Sequence, residues 1–303
     1  MKRRLTKFAL KLALFAGAAL LGPVSAPAAA SWEASLSKQP PGDFPPLRPL
    51  RASYVFGWSG FTAATADVQF ARPTPERCHI QGKGHTTGLA RALWRYDVSY
   101  QAIADSRTIR PIEAHQTDIY RAKKITTNLA FNANGVRRSR VETPSSGQGK
   151  PKDFNFPNLF DLQTALLYLR SQPLPDRSSY RVVVYPATDA YVATATVLGR
   201  EKTSVRAGNY NAIKIDLQLK RVGKNLELQP HRKFRRATIW VSDDQDRMIL
   251  RIEAQVFIGT VFAELQSLRF EQPRPQTAAS ASPTDESTGR GPLVHQEPPD
   301  VSD

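Results

Sequence analysis

Glu201 and Glu264 each stand among apolar neighbours, the setting in which lost hydration raises a carboxyl pKa toward general acid or base use. An outward-facing strand residue, or an ion pair with arginine, accounts for either one more simply. Gly57-Trp58-Ser59-Gly60 imitates a nucleophile elbow, but Phe61 stands where the closing glycine should be, and the segment sits at a hairpin. Gly147-Gln148-Gly149-Lys150 lacks the leading glycine spacing and the Ser/Thr of a phosphate loop and is expected to be a loop. The five histidines (His79, His85, His115, His231, His295) show no metal-ligand spacing. Asp243, Asp244 and Asp246 lack the spacing and the glycine of a calcium loop. Cys78 is the only cysteine, and strand alternation turns its neighbour His79 to the other face. No catalytic set emerges, and no metal or cofactor is expected.

Binding chemistry is better represented. The run Arg232-Lys233-Phe234-Arg235-Arg236 places an aromatic ring among cations, a composition suited to an anionic envelope surface. Trp58, Phe61, Leu93, Trp94, Leu166, Tyr168 and Trp240 are the large apolar side chains that could line a site for an apolar ligand. Ordinary core packing is the competing account of each.

The elements that must position these groups are mostly strands. Ile213, Ile215, Leu217 and Leu219 alternate with Lys214, Asp216, Gln218 and Lys220, one face apolar and one wet, as in an antiparallel sheet with a solvated side. Val182 and Val184 lead to a Thr188-Asp189 turn from which Tyr191 to Val197 return. Thr238–Val241 pairs with Met248–Phe257, and Gly259 marks a bulge or tight bend before Val261, Ala263 and Leu265. Tyr54–Trp58 and Thr65–Phe70 form the opening hairpin; Tyr96–Ala104, Ile112–Arg121 and Ile125–Phe131 add strands, with a turn at Asn132–Gly135 and a loop from Pro144 to Pro151. One segment departs from this period. Leu162, Ala165, Leu166 and Leu169 share a helical face, Asp161 caps its start and Pro173 stops it. Ala90–Trp94 is expected to form a helical turn. The fold class is therefore mainly β: a curved antiparallel sheet or open half-barrel with one central helix packed on it.

The chain opens with Lys2, Arg3, Arg4, Lys7 and Lys11, a ten-residue apolar run from Leu12 to Leu21, the breakers Gly22 and Pro23, and Ala28-Ala29-Ala30. That is the layout of a cleavable secretory signal over 1–30, its apolar run short of the roughly 20 residues that span a bilayer. A Pro-rich extended lead-in over 31–49, a single β-rich domain over 50–271 and a disordered tail over 272–303 are expected to follow. The whole chain has 42 Lys+Arg against 27 Asp+Glu; without the five basic residues of the signal, 37 against 27 leaves a net charge of +10. Export to the periplasm removes nucleic acid as the natural partner of that charge. Anionic lipid, lipoprotein or another acidic envelope component takes its place.

Several stretches together resemble the bacterial domain-of-unknown-function 3108 family: Tyr54-x-x-x-Trp58-x-Gly60, Phe160 to Arg170 with Pro173-Leu174, Gly199-Arg200-Glu201 with Gly208-Asn209-Tyr210, Ile239-Trp240-Val241-Ser242-Asp243-Asp244, and Ile258-Gly259-x-x-x-Ala263-Glu264-Leu265. The resemblance covers about 50–270 and implies a secreted or periplasmic β-rich domain with no established activity and no catalytic residues to carry over. A weaker likeness to the envelope lipoprotein carriers implies a curved sheet around an apolar cavity that takes lipid or a lipoprotein tail. The leading expectation is a non-enzymatic periplasmic protein binding an apolar ligand, lipid or envelope partner. An envelope hydrolase acting on glycan or peptide, and a structural interaction protein without a pocket, are the alternatives.

Overall fold

The computed structural model describes residues 31–42, 47–144, 148–231, 234–256 and 259–271, the side chains of Gln148 and Arg235 excepted. The expected signal, the tail and Arg232-Lys233 lie outside the described residues. Strands β1 (Leu50–Trp58), β2 (Phe61–Thr74) and β3 (Arg77–Thr86) are followed by a short helix α1 (Gly88–Leu93). Then come β4 (Tyr96–Asp105), β5 (Pro111–Tyr120), β6 (Lys123–Asn132), β7 (Gly135–Thr143) and β8 (Gln148–Asn155). Helix α2 (Leu162–Arg170) precedes β9 (Ser179–Val184), β10 (Tyr191–Val205), β11 (Gly208–Val222), β12 (Leu228–Pro230), β13 (Phe234–Ser242), β14 (Ile249–Val256) and β15 (Gly259–Phe270).

All of these strands join one sheet in the order β8-β7-β6-β5-β4-β3-β2-β1-β15-β14-β13-β11-β10-β9, with β12 beside β11. The hairpins follow from local chemistry. Ser59 and Gly60 both have positive φ, the conformation a two-residue turn between twisted strands demands. Gly57 is required for another reason: a Cβ there would collide with the Phe61 carbonyl and the Phe262 ring.

The sheet is curved because one helix touches so much of it. Side chains from nine consecutive strands, β3 through β1, then β15, β14, β13, β11, β10 and β9, surround α2. Laid flat, nine strands would span roughly 40 Å at about 4.8 Å per spacing, against a helix about 10–12 Å across. Only a trough brings them all to the same helix. The ladder stays open, but its two ends approach. Phe154 on β8 stacks on Tyr185, just past β9, at 5.8 Å between ring centroids. Phe160, on the segment crossing from β8, donates its N–H to the Val183 carbonyl (3.0 Å) and accepts from Tyr185 N–H (2.7 Å).

Some local expectations need correction. Gly149, Lys150 and Pro151 belong to β8 rather than a loop; β8 is an edge, where a proline forfeits no ladder hydrogen bond. Gly259 does not interrupt one continuing strand. It begins the return strand of a hairpin, with Val256 opposite Gly259 and φ +121° at the glycine. β3 and β7 are additional strands.

Helix α2 is held at its start by Asp161, as expected. Asp161 Oδ1 accepts from Gln163 N–H (2.7 Å) and Thr164 N–H (2.9 Å), and the Thr164 hydroxyl accepts from Asp161 N–H (3.1 Å), closing a capping box. The carboxyl is buried, and its Oδ2 and the Tyr100 hydroxyl both lack a partner of good hydrogen-bond geometry although they interact at close range. Burial pushes the Asp161 carboxyl above its ordinary range despite the opposing hydrogen bonds from Thr164 and Gln163 and the nearby Tyr100 hydroxyl. The folded chain therefore holds this proton more tightly than the unfolded chain does. The resulting stabilisation is complete below about pH 4 and is lost as pH rises through the raised value. Asp161→Asn, with no proton to release, should gain stability on wild type as pH rises from about 4. Asp161→Ala loses the cap at every pH, at a cost of about 1–2 kcal/mol. Urea midpoints across pH check both, and identical pH slopes for wild type and Asp161→Asn would refute the linkage.

Candidate functional site

The space beside α2 is the site the sheet builds. Alternation sends one row of each strand into the trough, and a nine-residue helix does not fill it. Two apolar grooves remain, one along each flank of the helix. The smaller, about 110 Å³, lies against β9, β10, β11 and β13 and is lined by Leu169, Tyr180, Val182, Tyr191, Ala193, Leu217 and Leu219 among others. The larger, about 220 Å³, lies against β1, β2, β3, β14 and β15, with Leu50, Ala52, Tyr54, Phe56, Phe70, Ile80, Ile252 and Ala263 in its wall. Leu162 and Leu166 belong to both walls, so these two side chains form the divide.

Few polar groups reach the larger groove. The Tyr54 hydroxyl donates to the Ile249 carbonyl (2.9 Å), and burial pushes its pKa up to about 12. Arg170, at the last position of α2, is buried; its Nε donates to the Arg247 carbonyl (2.9 Å) and its Nη2 to the Asp246 carbonyl (2.9 Å) and Met248 Sδ (3.4 Å). Burial lowers its pKa, with Tyr54 and the nearby aspartates opposing. The guanidinium thus ties the helix C-terminus to the β13–β14 turn through backbone carbonyls. These are holding and orienting contacts, and none is a nucleophile or a proton-transfer pair.

The seven residues expected to line a ligand site divide. Leu166 and Tyr168 are on α2 and border the grooves; the Tyr168 ring packs against Phe160, 5.0 Å between centroids, and its hydroxyl donates to the Gln39 carbonyl (3.0 Å). Trp240 points away from the trough, between Ile239 and Val241, which enter the trough core. It is buried on the other side, donates Nε1–H to Glu201 Oε1 (2.6 Å) and carries the Lys214 ammonium 5.5 Å from its ring centroid. Trp58, Phe61, Leu93 and Trp94 are exposed. They lie on one rim of the sheet, at the β1–β2 turn and at the α1 connection from β3 to β4, beyond the reach of the helix. In the basic run, Arg232 and Lys233 are outside the described residues. Phe234 begins β13, its N–H donating to His231 Nδ1 (2.8 Å), and Arg236 pairs with Asp216. Arg235 lies in β13.

The two carboxylates weighed for acid–base chemistry each have their own cations. Glu201 accepts from Trp240 and from Lys214 Nζ (3.2 Å), which hold it below the usual glutamate range. Glu264 Oε1 accepts the Arg206 backbone N–H (3.1 Å), and its Oε2 lies 3.7 Å from Arg251 Nη1. They share no partner, and Glu201 shifts in the direction opposite to that a general acid needs. Cys78 is buried, and burial pushes its thiol up. Tyr54 and Arg170 were not singled out by sequence reasoning. An arginine in the last turn of a helix ordinarily complements the helix dipole from solvent, so nothing in its type announces burial.

Because the Trp240 hydrogen bond is the largest influence on Glu201, lowering the pH through the depressed glutamate value should change indole emission at a pH below about 4.3. Glu201→Gln should abolish that transition. A fluorescence titration that is the same in both proteins would exclude the coupling.

Comparisons with known proteins place this geometry. The family model for DUF3108, a protein of unknown function, matches residues 53–266. No curated protein matches the chain in sequence. Among solved structures, a β-barrel-like protein of the domain of unknown function DUF1849 from Brucella abortus aligns with TM-score 0.51 at 9% identity, covering 75% of this chain and 99% of that one. A candidate lipoprotein from Parabacteroides distasonis (TM-score 0.33, 9% identity, 77% and 100% covered) and a candidate exported protein from Bacteroides fragilis (0.29, 9%, 75% and 98%) align more loosely. The first is a likeness of fold; the other two carry no weight at those scores.

Proposed function

The chain belongs to the DUF3108 family of proteins of unknown function, and we propose that it is an exported, non-enzymatic binding protein whose trough holds an apolar ligand, a lipid or acyl chain, beside α2. The observation that carries this reading is the pair of grooves walled almost wholly by aliphatic and aromatic side chains and left unfilled by the helix. Ligand pockets start at about 300 Å³; neither groove reaches that size alone, and the two together just do. Leu162 and Leu166 line both grooves, so rearrangement of these two side chains is the shortest route to a joined space. The secretory layout of residues 1–30 puts such a site in the periplasm, where an apolar lipid chain needs shielding from water. The hydrolase reading has no such support, since Glu201 and Glu264 are separately neutralised.

Native mass spectrometry of protein purified from the periplasm tests the proposal. The expected result is a bound lipid mass that disappears in Ala263→Phe, whose added ring occupies the larger groove. Leu162→Ser, at the solvent-facing end of the divide, should weaken retention without unfolding the protein. A bare protein mass, together with no binding of a fluorescent acyl probe by wild type, would overturn it.

A further inference from the structure

The rim that carries Trp58, Phe61, Leu93 and Trp94 exposes more large apolar surface than ordinary solvent-facing structure does. Antiparallel pairing fixes its composition. Trp58 faces both Phe61 and Val261; Ala64 faces Thr86, His85 faces Asp97, and Tyr96 faces Tyr120, which in turn faces Lys123. The ends of β1, β3 and β5 and the starts of β2, β4 and β6 are therefore neighbours along one edge of the trough. Phe234 faces Val256, which faces Gly259, so the start of β13 continues the same rim.

Helix α1 lies on this rim and has no buried residue. A short helix in a soluble domain normally buries its apolar stripe. Here Leu89 and Leu93, one turn apart and on one face, are more than three-quarters exposed, as is Phe61, and Trp58 and Trp94 are about half exposed. Single exposed apolar residues are ordinary, but a contiguous group marks an interaction surface. The surrounding charge selects the partner. Arg91, Arg95, Arg121, Lys123 and Lys124 outnumber Asp97, Asp118 and Glu142 beside the apolar group, and Arg95 and Arg121 are held together by the Arg121 N–H on the Arg95 carbonyl (3.3 Å). Tryptophan, phenylalanine and leucine backed by arginine and lysine match the boundary between acyl chains and anionic headgroups.

We propose that this rim docks the protein on an anionic phospholipid surface, with Phe61, Leu89, Leu93 and Trp94 entering the interface and Arg95, Arg121 and Lys123 meeting the headgroups. This surface stands independently of the ligand reading, since it rests on side chains outside the grooves.

Sedimentation with vesicles tests it. The leaderless protein is mixed with vesicles of phosphatidylglycerol and phosphatidylethanolamine, and separately with vesicles of phosphatidylcholine. Wild type should partition onto the anionic vesicles, lose binding as salt is raised, and show a blue shift of tryptophan emission there. Phe61→Ser with Leu93→Ser should weaken partition by about tenfold or more. Arg95→Glu with Arg121→Glu should weaken it to a similar extent. All four positions are solvent-exposed, and near-ultraviolet circular dichroism verifies that both variants fold. Equal binding to the two vesicle types, or undiminished binding by both variants, would overturn the proposal. So would a dimer that forms without vesicles and is lost in the Phe61→Ser, Leu93→Ser variant, which would assign the rim to a second copy. Vesicle binding without a bound lipid mass would leave this inference standing and the groove reading refuted.

Discussion

A sheet bent into a trough leaves its inner row of side chains facing water unless something occupies the hollow, and here that something is a single helix of nine residues. Helices this short are marginal in water, so α2 exists because the sheet buries it. The dependence runs in both directions: without the helix, Leu50, Phe70 and Ile80 on one flank and Tyr180, Ile213 and Ile239 on the other would lose the surface that separates them. Both ends of the helix are tied to the sheet by polar groups taken out of solvent. Asp161 satisfies the first turn beside Tyr100 of β4, and Arg170 satisfies carbonyls of the β13–β14 turn. A buried cation hydrogen-bonded to carbonyls and a sulfur, with Asp244 and Asp246 nearby, costs hydration that these interactions must offset. Those bonds fix the C-terminal end of the helix against the β13–β14 turn, and with it the space left on either side.

Much of this architecture was legible because the inner row is apolar and the outer row is not. The stretch Ile213 to Lys220 reads as a strand at sight, and β11 runs through it. The helix was equally plain, since its period differs and Asp161 and Pro173 bracket it. β3 was hidden by Gly82 and Gly84, which contribute no side chain to either row. β7 was hidden by its arginines. Arg138 points inward and is buried, its Nη1 near the Ala187 carbonyl (3.5 Å), while Arg137 points outward. Alternation survives in the geometry there but vanishes from the residue types. β8 contains Gly149 and Pro151 and reads as a loop, because an edge strand need satisfy only one neighbour.

The candidate site was less legible, for a different reason. Residue type identifies a side chain that could bind an apolar group but not which side of the sheet it occupies. Trp240 shows the problem directly: it alternates regularly between Ile239 and Val241, which enter the trough core, so its indole packs outside against Glu201 and Lys214. Trp58 and Phe61 obey their alternation and still miss the grooves, because the hairpin carries them past the end of the helix. The groove walls are made largely from Ala52, Ala193, Ala263 and common aliphatics. Their types carry no signal; only curvature gathers them.

Exposure along β1 connects the hollow to its rim. The residues of this strand that border the larger groove are Leu50 and Ala52, each 3% exposed, then half-buried Tyr54, then Phe56 at 39%, and the strand ends at Trp58 at 48%. The wall of the larger groove thus becomes progressively wetter toward the end of β1, the end at which the rim lies. At the opposite end Arg170 and the β13–β14 turn close the space. A surface-bound protein with this layout would present its opening to the acyl region of the membrane and its sealed end to water. Transfer of an apolar chain along that wall would then require no excursion through solvent, which is the step whose free-energy cost rises with every methylene exposed.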